Sequence, residues 1–383
     1  MRSRPDREMT ANIALAWAGS VGALYISLQP MIVGAWVDRA GLSLQAAGMA
    51  ASANMLGAII GVLATLLILR RGEIGGFIAL AALLAALGDL LTALVPNQAE
   101  AIIAVRLLGG IAGGALVAAT SASVAALAHP DRAFGLVAFA QILTGALALY
   151  FAPALLDNIG LSGLFIALGV LGLSVILVVP WFAQPTPRTS EEENGLKVRI
   201  GGASTLILAS LAVHYVANNG VWVHLERIGV AARIEQGQIG AALAVGQVFG
   251  LFGAALAIVL ADRASRLLAI CLGVMLTAVS VAVFTQAGDA LRLGAGVALF
   301  IGSISFTIPF YLGALASRDS SGRLVMVGQL AIMSGLFLGP SLAALIVTLG
   351  DLNAMLWACA VGLAVSLVLV HAGLRQTFSS QED

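Results

Sequence analysis

Charge is what this sequence has least of: Asp, Glu, Lys and Arg make up 10% of 383 residues, and Lys197 is the only lysine. The 19 basic and 19 acidic residues cancel, so nothing in the charge suggests nucleic-acid binding. The two cysteines, Cys271 and Cys359, each lie inside an apolar run. Neither has a CxxC partner, which excludes a disulfide framework and a thiolate metal site. No cluster of His, Asp and Glu has metal-ligand spacing, and neither HExxH nor GxSxG occurs. A membrane-embedded enzyme would therefore lack its metal, nucleophile or base. No cofactor is expected.

Apolar residues fill the space that charge leaves. They are 60% of the chain, with a mean hydropathy of +1.02, well outside the range of soluble domains. Residues 1–10, MRSRPDREMT, are basic and precede an apolar run from Ala11 to about Val37. That run exceeds a signal-peptide core of ~7–15 residues and reads as a retained membrane helix. Charge, Gly and Pro punctuate the chain into twelve runs, at about 11–36, 44–69, 74–95, 99–125, 133–156, 162–183, 201–225, 236–260, 267–287, 292–316, 322–348 and 353–374. Each is near the ~20 residues a helix needs to cross a bilayer. Runs this long and even are helices and not barrel strands. The expected fold class is an all-α membrane protein.

The one long polar stretch, Gln184–Arg199, holds two prolines, three consecutive glutamates and Lys197. It reads as a solvated connector, and the sequence before it resembles the sequence after it. A shift of 188 residues lays Ala126–Gln141 on Ala314–Gln329 with seven of sixteen positions identical. The same shift lays Asp38-Arg39-Ala40-Gly41 on Glu226-Arg227-Ile228-Gly229. The expected organisation is two pseudo-symmetric six-helix bundles, 1–183 and 201–383, joined by a linker at 184–200. With the amino terminus inside, fourteen of nineteen basic residues fall on the inner side. Both termini and the linker are then cytoplasmic, in a bacterial inner membrane.

Glycines spaced i, i+4 recur at Gly57/Gly61, Gly109/Gly113, Gly110/Gly114, Gly246/Gly250 and Gly335/Gly339. Such pairs flatten a helix face, and their number suggests helices that slide over one another. Twelve spans in two halves with a charged central loop resemble the Major Facilitator Superfamily. Leu260-Ala261-Asp262-Arg263-Ala264-Ser265-Arg266 is similar to the family's GxxxDRxxRR loop, with Ile258 at the Gly position. The first-half counterpart, Leu69-Arg70-Arg71-Gly72-Glu73, lacks the Asp. Arg106-Leu107-Leu108-Gly109-Gly110-Ile111-Ala112-Gly113 resembles the RxxQGxG signature, with Gly109 in place of Gln. Gly335-Leu336-Phe337-Leu338-Gly339-Pro340 resembles the GxxxGP motif of drug–proton antiporters, although there it belongs to the fifth span and here to the eleventh. The resemblance implies a secondary transporter that works by alternating access around a site near mid-membrane.

A charge at a helix centre in a bilayer costs at least ~2.5–3.5 kcal/mol, so each polar residue within a span needs a reason. Asp89 and Arg106 flank Pro96 at matching depth, ~10 Å below the outer surface. They suit either an ion pair that locks two spans or a proton-coupling pair with Arg106 in the cavity. His214, Asn218 and Trp222 share one face of the seventh span, with Tyr215 and Asn219 beside them. Tyr25, Gln29, Asn54, Tyr150, Gln247, Tyr311 and Gln329 complete a mildly polar candidate substrate cavity, and Gln141 adds a further amide. His214, the one histidine near a span centre, is the second candidate proton carrier. Candidate gating residues are Asp38 and Glu226 at equivalent span ends, Asp262, Arg263 and Arg266 in the loop motif, and Gly339 and Pro340. Asp38 and Glu226 are by default solvated anchors.

These features lead to a proton-coupled transporter of a small organic solute, with the antiporter-like motifs leaning towards export. An importer working as a symporter, and a non-transporting membrane sensor or assembly factor, are the alternatives. The expected partners are a small-molecule substrate, protons and membrane lipids, and the expected state is a monomer.

Overall fold

The computed structural model describes residues 4–68, 74–95, 97–125, 130–181, 201–260, 263–318 and 323–379. Its regular elements are all helical: α1 (Arg4–Asp38), α2 (Leu44–Ile68), α3 (Ile74–Leu94), α4 (Ala99–Ala125), α5 (Pro130–Val178), α6 (Gly202–Ala231), α7 (Gln236–Leu260), α8 (Arg266–Phe284), α9 (Ala290–Ala316), α10 (Arg323–Leu349) and α11 (Leu352–Ser379). A single 3-10 turn, Val179–Trp181, follows α5. Hydrocarbon supplies no hydrogen-bond partner, so each crossing segment must satisfy its own backbone, as a helix does. Among the described residues, eleven helices are long and apolar enough to cross a membrane.

The sequence gives twelve spans where the structure has eleven continuous helices, and Gly160 accounts for the difference. The 49 residues of α5 would reach ~74 Å if straight, at ~1.5 Å per residue. Gly160 breaks the run at φ 70°, ψ −176°, a left-handed position that glycine takes without strain. Both limbs then meet the same level of α1. Gln141 Nε2 of the first donates to Gly19 O at 3.1 Å, and Trp17 Nε1 donates to Ser174 Oγ of the second at 2.9 Å. The limb after Gly160 therefore returns alongside α1, so α5 is two membrane crossings.

The chain divides into two compact units, Met1–Glu193 and Asn194–Asp383. Within the first, α1 packs on α5, and α2 and α3 on α4; within the second, α6 packs on α10 and α11, and α7 and α8 on α9. The order of partners is the same in both. In the first unit Ala18, Ile78, Ala82, Leu116, Ala119 and Val175 form a buried apolar core.

Glycine sets how near the helices come. A Cβ at Gly57 would fall on Leu107 O, at Gly61 on Ile111 O, at Gly110 on Asn54 O and at Gly114 on Ala58 O. Both partners of the α2–α4 pair thus expose backbone to the other's carbonyls over two turns, a reciprocal fit that holds in one register. The sliding surface expected from glycine spacing is here a fixed seat. In the second unit Gly253 meets Gly302 of α9 in the same way, and Gly335 and Gly339 of α10 meet Tyr215, Val216 and Gly220 of α6.

Side chains complete the exposed helix starts. Ser43, Ser265, Asp289 and Asp351 accept from the backbone N–H groups of Ala46, Leu268, Arg292 and Ala354 at 3.1, 3.2, 2.9 and 2.6 Å, capping α2, α8, α9 and α11. Buried hydroxyls are satisfied inside their own helices, as when Thr92 bonds Gly88 O at 2.8 Å and Thr120 bonds Leu116 O at 2.8 Å. Such groups are spoken for and are poor site candidates.

The α2–α4 seat yields a direct test. Gly110→Val or Gly114→Val places a side chain against opposing backbone, where overpacking costs at least ~1–3 kcal/mol. Either variant is expected to lower the melting temperature of the detergent-solubilised protein by several degrees or to abolish folded yield. Gly76→Val, where a Cβ meets nothing within 4 Å, should leave it unchanged.

Candidate functional site

In the first unit the site is built on a charge. Arg106 is 1% exposed. Its Nη1 donates to Asp89 Oδ1 at 2.8 Å and its Nη2 to Gly88 O at 2.6 Å. Asp89 lies near the end of α3 and Arg106 near the start of α4, the depth match that the sequence implies. Glycine makes the approach possible. A Cβ on Gly88 would stand 2.8 Å from Gly109 Cα, and one on Gly109 would stand 3.1 Å from Arg106 Nη2. Gly109, where the family signature carries Gln, therefore clears the path by which Arg106 reaches across to α3.

The guanidinium also lies between aromatic rings, 5.4 Å from the Tyr25 centroid and 5.2 Å from that of Phe165. Cation–π contact of this kind is strongest where water is excluded. Phe165 in turn stacks on Trp36 at 6.0 Å. On α1 the residues Tyr25, Gln29 and Trp36 fall within ~40° of one another at 3.6 residues per turn. Along this face hydrogen bonding stops: Tyr25 Oη, both ends of the Gln29 amide, Trp36 Nε1 and Arg106 Nε are buried with no partner among the described residues.

The second unit carries a neutral counterpart on α6, the most enclosed span, with 67% of its apolar window buried. His214, Asn218 and Trp222 are 0, 3 and 7% exposed. Both ring nitrogens of His214 and both amide atoms of Asn218 are buried without partners among the described residues. The Tyr311 ring stands 5.9 Å and the Tyr215 ring 6.1 Å from the His214 ring. Tyr311 is held in place through its hydroxyl, 2.7 Å from Ser210 Oγ and 3.1 Å from Ser366 Oγ. These two serines tie α6 and α11 to α9, and no sequence signal marks them. Asn219 is different from its neighbour, because its Nδ2 donates to Leu336 O of α10 at 2.7 Å. It fastens two helices.

The other candidates separate by burial. Asn54 is buried, Gln247 is half-buried, and Tyr150 and Gln329 are exposed. Tyr150 is 57% exposed, with its ring edge-on to Phe151. Gly339 and Pro340 are buried in α10 against α6. Asp262 lies outside the described residues, while Arg263 and Arg266 are exposed beside it. Arg318, just past α9, bonds Ala314 O at 2.5 Å; burial, then the Arg266 guanidinium, push its pKa below the ordinary arginine range.

Two expectations change at the span ends. Asp38 is exposed, and its neighbour Arg39 pairs with Asp157 of α5 at 2.5 Å. Glu226 is not a solvated anchor: it is 1% exposed and held by Arg227 at 2.6 and 2.9 Å. Arg227 follows it directly in the chain, so a pair that looks like surface decoration is packed inside. Nor is His214 the only enclosed histidine of its helix. His224 is 0% exposed, with Nδ1 2.9 Å from Gly220 O and Nε2 unpartnered. Its position near a predicted span end concealed it, because α6 runs on to Ala231. No group of three or more His, Cys, Asp or Glu among the described residues could hold a metal.

The sequence profile of the Major Facilitator Superfamily matches residues 12–318. The structure is similar to that of a mutant of the nucleoside transporter NupG, with a TM-score of 0.78 at 10% identity over 95% of this chain and 99% of that one. A D-xylose–proton symporter gives 0.74 at 14% identity, covering 96% of this chain and 97% of that one. A bacterial homologue of the human lysosomal transporter Spinster, solved facing inward and unoccupied, gives 0.69 at 14% identity, covering 97% and 96%. At these identities the likeness is one of fold. No protein of curated function matches the chain by sequence.

Adjacent asparagines test whether the unpartnered groups are a site or part of the scaffold. Asn219→Leu strands a buried carbonyl and should destabilise the protein by ~1–3 kcal/mol. Asn218→Leu removes two unsatisfied atoms and should leave the melting temperature unchanged or higher. Equal loss from both substitutions would mean that Asn218 is a structural group.

Proposed function

The chain belongs to the Major Facilitator Superfamily, and from that membership we propose that it is a proton-coupled secondary transporter of a small organic solute. The superfamily and the fold support transport and not catalysis. The observation that carries the coupling is the Arg106–Asp89 pair, 2.8 Å apart with the arginine side chain 2% exposed and the aspartate 20%. A carboxylate that keeps partial access while bound to an enclosed guanidinium can exchange a proton without losing its place. Protonation of Asp89 releases the guanidinium for another partner, and that exchange links the proton to the solute.

Tyr25, Gln29 and Arg106 in one unit, and His214, Asn218, Trp222 and Tyr311 in the other, are the proposed solute contacts. Each is on a membrane helix, and most are buried. His214 is the reserve proton carrier. Asp262, Arg263 and Arg266 are proposed to bias the conformational equilibrium from the cytoplasmic side. Gly339 and Pro340 are proposed to hinge α10 at its seat on α6. The protein is proposed to act as a monomer in a bacterial inner membrane, with both termini cytoplasmic.

Charge removal in stages separates coupling from scaffolding. Arg106→Gln or Asp89→Asn alone leaves its partner uncompensated, and breaking a buried pair costs ~3–5 kcal/mol, so each single variant should lose folded yield. The double variant should regain stability. Reconstituted in liposomes under an imposed proton gradient, it should equilibrate a solute that the wild type concentrates. Uphill accumulation by the double variant would remove Asp89 from the coupling step.

A further inference from the structure

Where α1 begins and the second limb of α5 ends, the two helices leave an open groove of ≈530 Å³ between them. Its floor is the bond from Trp17 Nε1 to Ser174 Oγ at 2.9 Å, and its walls rise through Ile13 and Leu177 to Thr10 and Trp181. Trp36 meets Phe165 and Trp17 meets Ser174, so the limb runs antiparallel to α1 and brings Trp181 level with Thr10. Both walls stop together, because the apolar spans run Met9–Asp38 and Leu136–Trp181. The mouth of the groove is therefore at a span end, where hydrocarbon gives way to water. The floor lies ~10 Å deeper, at ~1.5 Å per residue. Ile13, Leu177 and Trp181 are 57, 73 and 49% exposed, so the groove opens towards the bilayer.

We propose that this groove holds one diacyl phospholipid of the surrounding bilayer, with its chains between α1 and α5 and its glycerol esters level with Thr10 and Trp181. Tryptophan suits that level, because its ring is apolar and its N–H polar. Trp181 stands at the mouth, while Trp17, its N–H already given to Ser174, offers the floor only an apolar ring. Size selects two chains over one. An extended chain advances ~1.2 Å per bond, so the ~10 Å depth takes about eight methylenes of each chain. At roughly 30 Å³ apiece, the share of a water molecule, one chain fills less than half of the ≈530 Å³ and two fill most of it. A second copy of the protein would need a helix face matched over several turns, and this groove is two turns long and shut at one end. The adjoining Gln184–Arg199 stretch is polar, the wrong complement for apolar walls. The site goes beyond the general wetting of a membrane protein by lipid and does not depend on the transporter reading. A lipid seated here fills the space between α1 and α5, and so steadies the first turns of the helix that carries Tyr25 and Gln29.

Native mass spectrometry tests this on the full chain, delipidated in detergent and titrated with dioleoylphosphatidylglycerol or dioleoylphosphatidylethanolamine. The expected result is one phospholipid per chain that survives the collision energy stripping away the rest. Ile13→Trp combined with Leu177→Trp fills the groove from two exposed positions. That variant should lose the lipid while melting no lower than the delipidated wild type. Leu268→Trp, at a 64% exposed position of α8, should keep it. A lysolipid of the same headgroup should bind roughly tenfold or more weakly, because its single chain covers less apolar surface. Trp181 gives an independent reading, which decides the matter if the filled variant does not fold. The fluorescence that Trp181→Phe removes should be quenched by dibrominated phospholipid at a low mole fraction and then level off. The proposal is overturned if no phospholipid is retained, if the filled variant retains it, or if the lysolipid binds as tightly. It is equally overturned if a dimer appears that the filled variant abolishes, or if quenching of Trp181 simply follows the bulk fraction of brominated lipid.

Discussion

A lipid bilayer offers no hydrogen bond, and this one deprivation organises the molecule. Backbone groups answer it by forming helices, and most hydroxyls answer it by bonding a carbonyl one turn back. Ser20 to Ala16, Thr65 to Gly61 and Thr277 to Gly273 are of this kind. Amides and indoles answer it by reaching a neighbouring helix, as Gln141, Asn219 and Trp17 do. Against so thorough a satisfaction of polar groups, the exceptions stand out. Gln29, Trp36 and Arg106 Nε in the first unit, with His214 and Asn218 in the second, have no partner among the described residues. A buried polar group without a partner is costly, and that cost is the reason Gln29, Arg106, His214 and Asn218 are proposed as solute contacts.

Much of the frame was legible because membrane helices announce themselves by length. Spans, a break near the middle and the Asp89–Arg106 pairing all follow from apolar runs and depth. What the sequence conceals is which of two similar residues is already engaged. Asn218 and Asn219 are adjacent and chemically identical, and a rotation of ~100° per residue sends one to α10 and the other to an empty face. Glycine spacing was equally ambiguous. It marks close approach, but only the reciprocal placement of Gly57, Gly61, Gly110 and Gly114 shows that the approach is a locked seat. Gly160 was read as punctuation, and its left-handed backbone is what lets a 49-residue helical stretch turn back on itself. Glu226 was misread for a different reason: a charged residue beside another charge near a span end usually belongs to water, and only packing shows that this one does not.

Repetition in the packing does not extend to chemistry. Both units stack their helices in the same order and both enclose an ion pair, yet in the first the Arg106–Asp89 pair lies against the Tyr25 ring, while in the second the Glu226–Arg227 pair sits two turns along α6 from Asn218. Trp36 and His224 occupy equivalent positions under the 188-residue shift, each 0% exposed and each with one ring nitrogen unpartnered among the described residues. The fold thus preserves the place of a polar ring while its character changes from an obligate donor to a group that donates or accepts. A scaffold that fixes positions through backbone contacts at glycine leaves side chains at those positions free to diverge.

Gly109 shows how far such divergence is constrained by its neighbours. A long side chain at that position would begin 3.1 Å from Arg106 Nη2 and 3.7 Å from Gly88 Cα. Arg106 would then have to turn away from Gly88 O and Asp89, and with α3 pushed off α4 the pair would lose both its geometry and its dryness. Substituting glycine for the glutamine of the family signature is therefore tied to the carboxylate on α3: one makes room for the contact, and the other makes the contact worth having. The absence of a side chain at position 109 belongs to the same device as the charge at position 89, although neither residue alone would identify it.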